Sequence, residues 1–231
     1  MSASPAEPPS KPRIALIHAL AASVEPINGA LQRLWPAARR MNLLDDSLSA
    51  DLAASPAGLD AAMTGRFLAL ADYAVGSGAQ ALLFTCSAFG PCIDAVKARH
   101  PSLPVLKPNE AMVDAAVAWA ERFGPSVRVG LLATFGPTLA SMPPEFPPGL
   151  VLDCELAEGA LTALQAGDLE VHDRLAVEAA RRLAERGCAL IALAQFSLAR
   201  AAPAIEAALG MPVLTTPDSA VAALRRRLVI G

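Results

Sequence analysis

Short apolar runs alternate with segments of helical spacing along this chain. "RIALIHAL" (13–20) has the continuous apolar character of a buried strand, and "RRMNLLDDSL" (39–48) contains a second. "MTGRFLALADYAVGSGAQ" (63–80) carries apolar residues at helical spacing and ends in a glycine-rich stop. "ALLFTC" (81–86) is a third strand, and "PCIDAVKARH" (91–100) a short helix with Pro91 suited to its first turn. "PVL" (104–106) begins a fourth strand, followed by a helix over "NEAMVDAAVAWAERFG" (109–124). Strands and helices in alternation predict a parallel sheet with helices on both faces.

The pattern then restarts. "VRVGLLATFGPTLAS" (127–141) repeats the strand, loop and helix of the N-terminus. "HDRLAVEAARRLAERG" (172–187) parallels the helix that precedes residue 78. "GCALIALAQ" (187–195) lies over "GAQALLFTC" (78–86), and "PVLTTPDSAVAAL" (212–224) over "PVLKPNEAMVDAA" (104–116) with a one-residue shift. The expectation is an α/β protein of two pseudo-symmetric parallel-sheet halves, over 13–120 and 121–231, with the C-terminal helix packing back on the first half. Residues 1–12 read as a disordered, Pro- and Ser-rich lead without the apolar core of a signal peptide. Ligands in such sheets bind beyond the carboxyl ends of the strands, so the active site is expected in the cleft between the halves.

Composition narrows the function. Hydrophobic residues make up 54% of the 231, charged residues 18%, and the net charge is −3. No basic field argues for a nucleic-acid partner, and no apolar run approaches membrane-spanning length. The cysteines Cys86, Cys92, Cys154 and Cys188, in a chain without an export signal, suit a reducing cytoplasm. Their spacing fits no zinc pattern, and His18, His100 and His172 do not complete one, so no metal is expected.

Three strand ends carry polar groups. Cys86 and Ser87 follow one strand, Thr134, Gly136 and Thr138 another, and Gln195 and Ser197 the strand that mirrors Cys86. "ATFGPT" leads into a helix, whose free N–H groups suit a carboxylate. Thr134 and Thr138 are equally read as plain helix caps. Cys86 sits before a helix N-terminus, where the dipole and unpaired N–H groups are expected to lower its pKa. Cys92, Cys154 and Cys188 read as packing residues. His18 ends the first strand and is read either as a cleft residue or as a hydrogen-bonded structural histidine; His100 and His172 read as surface helix residues. Asp45 and Asp46 are turn residues or rim charges, and Glu110 and Asp218 occupy matching helix starts.

"GAQALLFTCSA" and "VGLLATFGPT" resemble the strand-Cys-Asn-Thr and Gly-Leu-Leu-Ala-Thr-x-x-Thr stretches of the Asp/Glu/hydantoin racemase superfamily, and the likeness runs from about residue 13 to the end. The resemblance implies a soluble, cofactor-free enzyme, by family habit a homodimer, acting on a small carboxylate. Racemases of this type hold one cysteine per half, one thiolate taking the α-proton and the other thiol returning it. This chain departs from that scheme. Its first catalytic position is Cys86, but the second is Gln195, an amide that exchanges no proton at ordinary pH. Ser87 and Ala88 replace the Asn-Thr of the carboxylate grip. The resemblance therefore implies Cys86 and Gln195 as catalytic residues. Ser87, Ala88, Thr134, Gly136, Thr138, Phe196, Ser197 and His18 are the substrate-binding candidates. The reading is a racemase-like isomerase with a single thiolate. The alternatives are a decarboxylase of the arylmalonate type and a non-catalytic binder of small acids.

Overall fold

The computed structural model describes residues 11–124 and 126–229. Most of the expected N-terminal lead lies outside the described residues. Pro12 is inside them, and its carbonyl accepts from the Arg39 N–H at 2.8 Å, which ties it to the sheet edge.

The first half runs β1 (Arg13–His18), α1 (Val24–Leu34), β2 (Arg39–Leu44), α2 (Ser47–Ala54), α3 (Ala61–Gly76), β3 (Ala81–Phe84), α4 (Gly90–Arg99), β4 (Val105–Leu106) and α5 (Glu110–Phe123). The second runs β5 (Arg128–Ala133), α6 (Gly136–Ser141), β6 (Val151–Leu156), α7 (Ala160–Gln165), α8 (Leu169–Glu185), β7 (Cys188–Leu193), α9 (Ala202–Leu209), β8 (Val213–Thr215) and α10 (Thr216–Val229). Each half is one four-stranded sheet with all pairings parallel, ordered β2-β1-β3-β4 and β6-β5-β7-β8. The two orders are the same once the second set is renumbered, so the sequence repeat is a structural repeat.

Local chemistry sets the boundaries. The Asp60 carboxylate accepts from the Met63 N–H at 2.8 Å and caps α3; Asp168 does the same for α8 through Val171 at 3.1 Å. Both helices then turn into the central strand through a glycine at positive φ, Gly78 at 84° and Gly187 at 86°. A side chain there would be strained, which is why glycine recurs at this point of the repeat. Apart from α1, the elements absent from the sequence reading are short or edge-placed. β6 is only partly buried along its length, so it shows no clean alternation. α1 contains Pro26 and Gly29, which obscure the helical spacing of the buried Ile27, Ala30 and Leu31.

Each sheet is apolar on both faces. In the first, Ala15, Ile17, Leu82 and Phe84 pack under α3 and α4, while Ile14, Leu16, Ala81 and Leu83 point the other way. The cover on that second face comes from α1 and from the far end of the chain: Ala220, Val221, Ala223 and Leu224 of α10 are buried against it. The exchange is reciprocal. Met112, Val113, Ala116 and Ala120 of α5 pack on Val129, Leu131, Leu190 and Ala192 of the second sheet. The expected boundary between residues 120 and 121 therefore falls inside a helix that completes the second core, because each half's last helix seals the other half's sheet. On the remaining face of the second sheet, Gly130 lets α8 come close: a Cβ there would sit 2.9 Å from Leu183 Cδ1 and 3.1 Å from Leu183 Cβ. Among the described residues, no helix is long and apolar enough to cross a membrane.

Candidate active site

The carboxyl ends of both sheets open into one cleft of about 590 Å³. β3 ends at Phe84 and β7 at Leu193, so Cys86 and Gln195 each stand two residues past the end of the equivalent strand. Both line the cleft, with Ser87 and Ala88 on one side and Phe196 and Ser197 on the other. Thr138 lines it as well, whereas Thr134, Gly136 and His18 do not.

Gln195 is held in one orientation. Its Oε1 accepts from the Thr134 N–H at 2.7 Å and from the Thr134 hydroxyl at 3.0 Å. A backbone N–H can only donate, so the oxygen must face Thr134. The Nε2 hydrogens are what Gln195 has left to offer the cleft. Thr134 is buried, and its N–H and hydroxyl hydrogens are both given to Gln195. The Thr138 N–H closes a turn on the Phe135 carbonyl at 3.0 Å. The expected carboxylate grip by Thr134 and the N–H groups around Gly136 is corrected accordingly: Thr134 positions Gln195, and Thr138 offers its hydroxyl only.

His18 is also corrected as a binding group. Its ring is fully buried. Nε2 lies 3.0 Å from Asn42 Oδ1, and Nδ1 lies 2.9 Å from the Thr85 hydroxyl and 3.2 Å from that of Ser23. Burial lowers its pKa, with the Asn42 bond acting the other way, so the ring is neutral at pH 7. A neutral ring donating from Nε2 to Asn42 accepts at Nδ1, which draws a hydroxyl proton of the Ser23–Thr85 pair inward. That pair, 2.8 Å apart, lines the cleft beside Cys86. His18 thus orients cleft hydroxyls without touching the cleft.

Cys86 is partly buried. Burial pushes its thiol above the ordinary value, and the Ala88 N–H and the Ser49 hydroxyl offset only part of the rise. The expected lowering by a helix dipole does not occur. Residues 87–89 form a 3-10 turn and α4 begins at Gly90, so the thiol stands a turn short of the α-helix. The other cysteines are elsewhere. Cys92 is buried in α4, and Cys188 begins β7 at the end away from the cleft. Cys154 is exposed rather than packed, since it sits on edge strand β6. His172 is fully buried at the start of α8 with Nδ1 2.8 Å from Asp173, and His100 is bonded to Asp72 at 2.9 Å, so neither is a free surface histidine. Asp45 is a turn residue that also pairs with Arg66 at 2.6 Å. Among the described residues, no cluster of side chains could hold a metal ion.

Sequence reading missed Leu20, Ser23, Thr85, Asn109 and Phe135, all of which line the cleft. The repeat held the signal for two of them. Laying Arg13 on Arg128 without gaps puts Ser23 on Thr138 and Leu20 on Phe135.

The model of the "Asp/Glu/Hydantoin racemase" family matches residues 19–224. No curated protein sequence matches the chain. Solved structures similar to it include an aspartate racemase homologue from Pyrococcus horikoshii, at 14% identity and TM-score 0.71, covering 94% of this chain and 99% of that one. Allantoin racemase from Klebsiella pneumoniae aligns at 17% identity and TM-score 0.66, over 95% and 89% of the two chains. Unliganded arylmalonate decarboxylase aligns at 21% identity and TM-score 0.60, over 93% and 92%. At these identities the likeness is one of fold.

Proposed function

Because the chain belongs to the Asp/Glu/hydantoin racemase family, we propose that it is a cofactor-independent, racemase-like isomerase of a small carboxylic acid, with Cys86 as its single acid–base thiol. One observation carries this reading: the cleft pairs that thiol with a carboxamide from the other half whose oxygen is anchored at Thr134. In its thiolate form Cys86 removes a proton from the carbon next to the carboxylate. Charge then builds on the carboxylate oxygens. The Gln195 Nε2 hydrogens, oriented by Thr134, and the exposed Ser87 hydroxyl on the opposite wall are the donors available to that charge, as stabilisation of an enolate requires. The thiol returns a proton to the face it came from. Protonation of the other face falls to a water held by the amide, and the hydroxide left behind takes the Cys86 thiol proton to restore water and thiolate, which makes inversion slower than exchange.

A second reading is favoured by the state of the thiol. Burial keeps Cys86 protonated at neutral pH, which suits a group that only delivers a proton, as in decarboxylation to a carbanion. The experiment that separates the two is a screen of carboxylic acids in D2O followed by NMR. An isomerase gives deuterium at the α-carbon without CO2 loss; a lyase gives a deuterated product one carboxylate shorter. Cys86→Ser, nearly isosteric, is expected to abolish either activity while the far-UV circular dichroism stays unchanged. Full turnover in that variant would remove Cys86 from the mechanism.

A further inference from the structure

An asparagine placed just before a helix ordinarily turns its side chain onto the first free N–H groups and caps them. Asn109 precedes α5 and does not. Its backbone is already helical, at φ −98° and ψ −15°, and its side chain makes no cap bond. Its backbone carbonyl accepts instead from the Met112 and Val113 N–H groups, both at 3.0 Å. The residue is only 3% exposed, and it lines the cleft. A buried amide that is spared from capping and borders the cleft is available to a ligand there.

One end of that amide is engaged. Glu145 closes the short 3-10 turn Pro143–Glu145, outside the cleft lining. Desolvation pushes the Glu145 carboxyl above its ordinary pKa, while a hydrogen bond with the Asn109 amide and then the Lys107 charge act the other way. A bond that favours the charged carboxylate is given by an N–H, so Nδ2 faces Glu145 and Oδ1 is the end left for the cleft. That oxygen is not sealed in: among the described residues, only the His172 Nε2 is both buried and without a partner. Gln195 is set the opposite way, its oxygen spent on Thr134 and its N–H hydrogens left over. The cleft therefore holds one amide of each polarity, an acceptor from the first half and donors from the second. A carboxylate only accepts, so it suits Gln195 and is opposed by the Asn109 oxygen. What suits that oxygen is an O–H or an N–H.

We propose that Asn109 is a specificity-determining residue, whose side-chain oxygen, held by Glu145, accepts a hydrogen bond from an O–H or N–H that the substrate carries besides its carboxylate. This rests on the reading of the cleft as an acid-binding active site, but it concerns binding and is tested without turnover. The probes are two matched pairs, glycolate with methoxyacetate and N-acetylglycine with N-acetylsarcosine. In each pair the second member replaces the donor hydrogen by a methyl group. They are titrated into the wild-type protein and followed by ligand-observed NMR. In at least one pair the donor-bearing member is expected to bind at least threefold more tightly than its methylated partner, and the pair that does so tells whether the donor is O–H or N–H. Asn109→Ala is expected to bring that ratio close to one. A ratio that survives in Asn109→Ala would overturn the proposal, because it would come from the bulk of the added methyl group. Should Asn109→Ala lose its far-UV circular dichroism, Glu145→Gln decides on the same criterion: an amide at 145 both gives and accepts, so it no longer holds Asn109 one way round. If all four acids bind and neither pair discriminates, the cleft stands as an acid site and the role of Asn109 falls. If none of the four binds, the acid-binding reading of the cleft falls and takes this proposal with it.

Discussion

Residue by residue, the cleft differs from a symmetric two-thiol site in how each group is held. Cys86 is a thiol raised by burial rather than a thiolate favoured by a helix. Its alkylation by iodoacetamide is therefore expected to be slower at pH 7 than that of a free thiol. The rate should rise with a midpoint above the ordinary cysteine value of about 8.5. A midpoint below that value, read from the pH dependence of the rate, would contradict the environment described. Gln195 depends on Thr134 for its orientation. Thr134→Val removes the hydroxyl bond and leaves the N–H bond, so a loss of about 0.5–1.5 kcal/mol is expected. Because the interaction orients a donor for developing charge, the loss should appear in kcat/KM for the accepted acid, with little change in its dissociation constant. An effect confined to the dissociation constant would instead mean that Thr134 touches the ground-state carboxylate.

At the level of elements, the exchange of α5 and α10 is what holds the two strand-end rims together around a shared cleft. The exchange is fastened at the surface by Arg33 to Asp218 at 2.7 Å and by Arg227 to Glu110 at 3.3 Å. Those pairs are exposed and contribute little on their own. The apolar face of α10 does more, since Leu224 is fully buried against the first sheet. Leu224→Ala should cost about 2–5 kcal/mol, the range for truncating a buried leucine. The loss should lower the stability of both halves together, because a loosened α10 uncovers the first sheet while its own strand belongs to the second. Denaturant unfolding followed separately by Trp35 and Trp119 fluorescence, through single-tryptophan variants, should give coincident curves. Two separated transitions would show that the halves fold independently despite the exchange.

For the whole molecule, the pH dependence of stability follows from where the other cysteines lie. Cys188 is buried beside Asp153, and burial together with that carboxylate pushes its thiol from 9.0 up to about 11. The folded state therefore keeps the proton after the unfolded chain has begun to lose it. Stability contributed by the neutral thiol is complete below about pH 9 and is lost as pH rises toward 11. Cys188→Ala should flatten the decline of the melting temperature across that window; an unchanged decline would assign it to other groups. The sequence alone determined the repeat, the parallel strands, the strand-end positions of Cys86 and Gln195 and the family. These rest on local periodicity and on motifs a few residues long, which need no distant partner. Tertiary structure alone decided the rest. The sequence reading placed the C-terminal helix on the first half but not the reciprocal crossing of α5, which depends on which sheet face is left bare after the nearer helices have packed. That Thr134 serves Gln195, that His18 backs the Ser23–Thr85 pair, and that burial outweighs the Ala88 and Ser49 donors at Cys86 all depend on groups that the fold brings together from distant parts of the chain. Hydrogen-bond competition and desolvation are settled only when those groups meet.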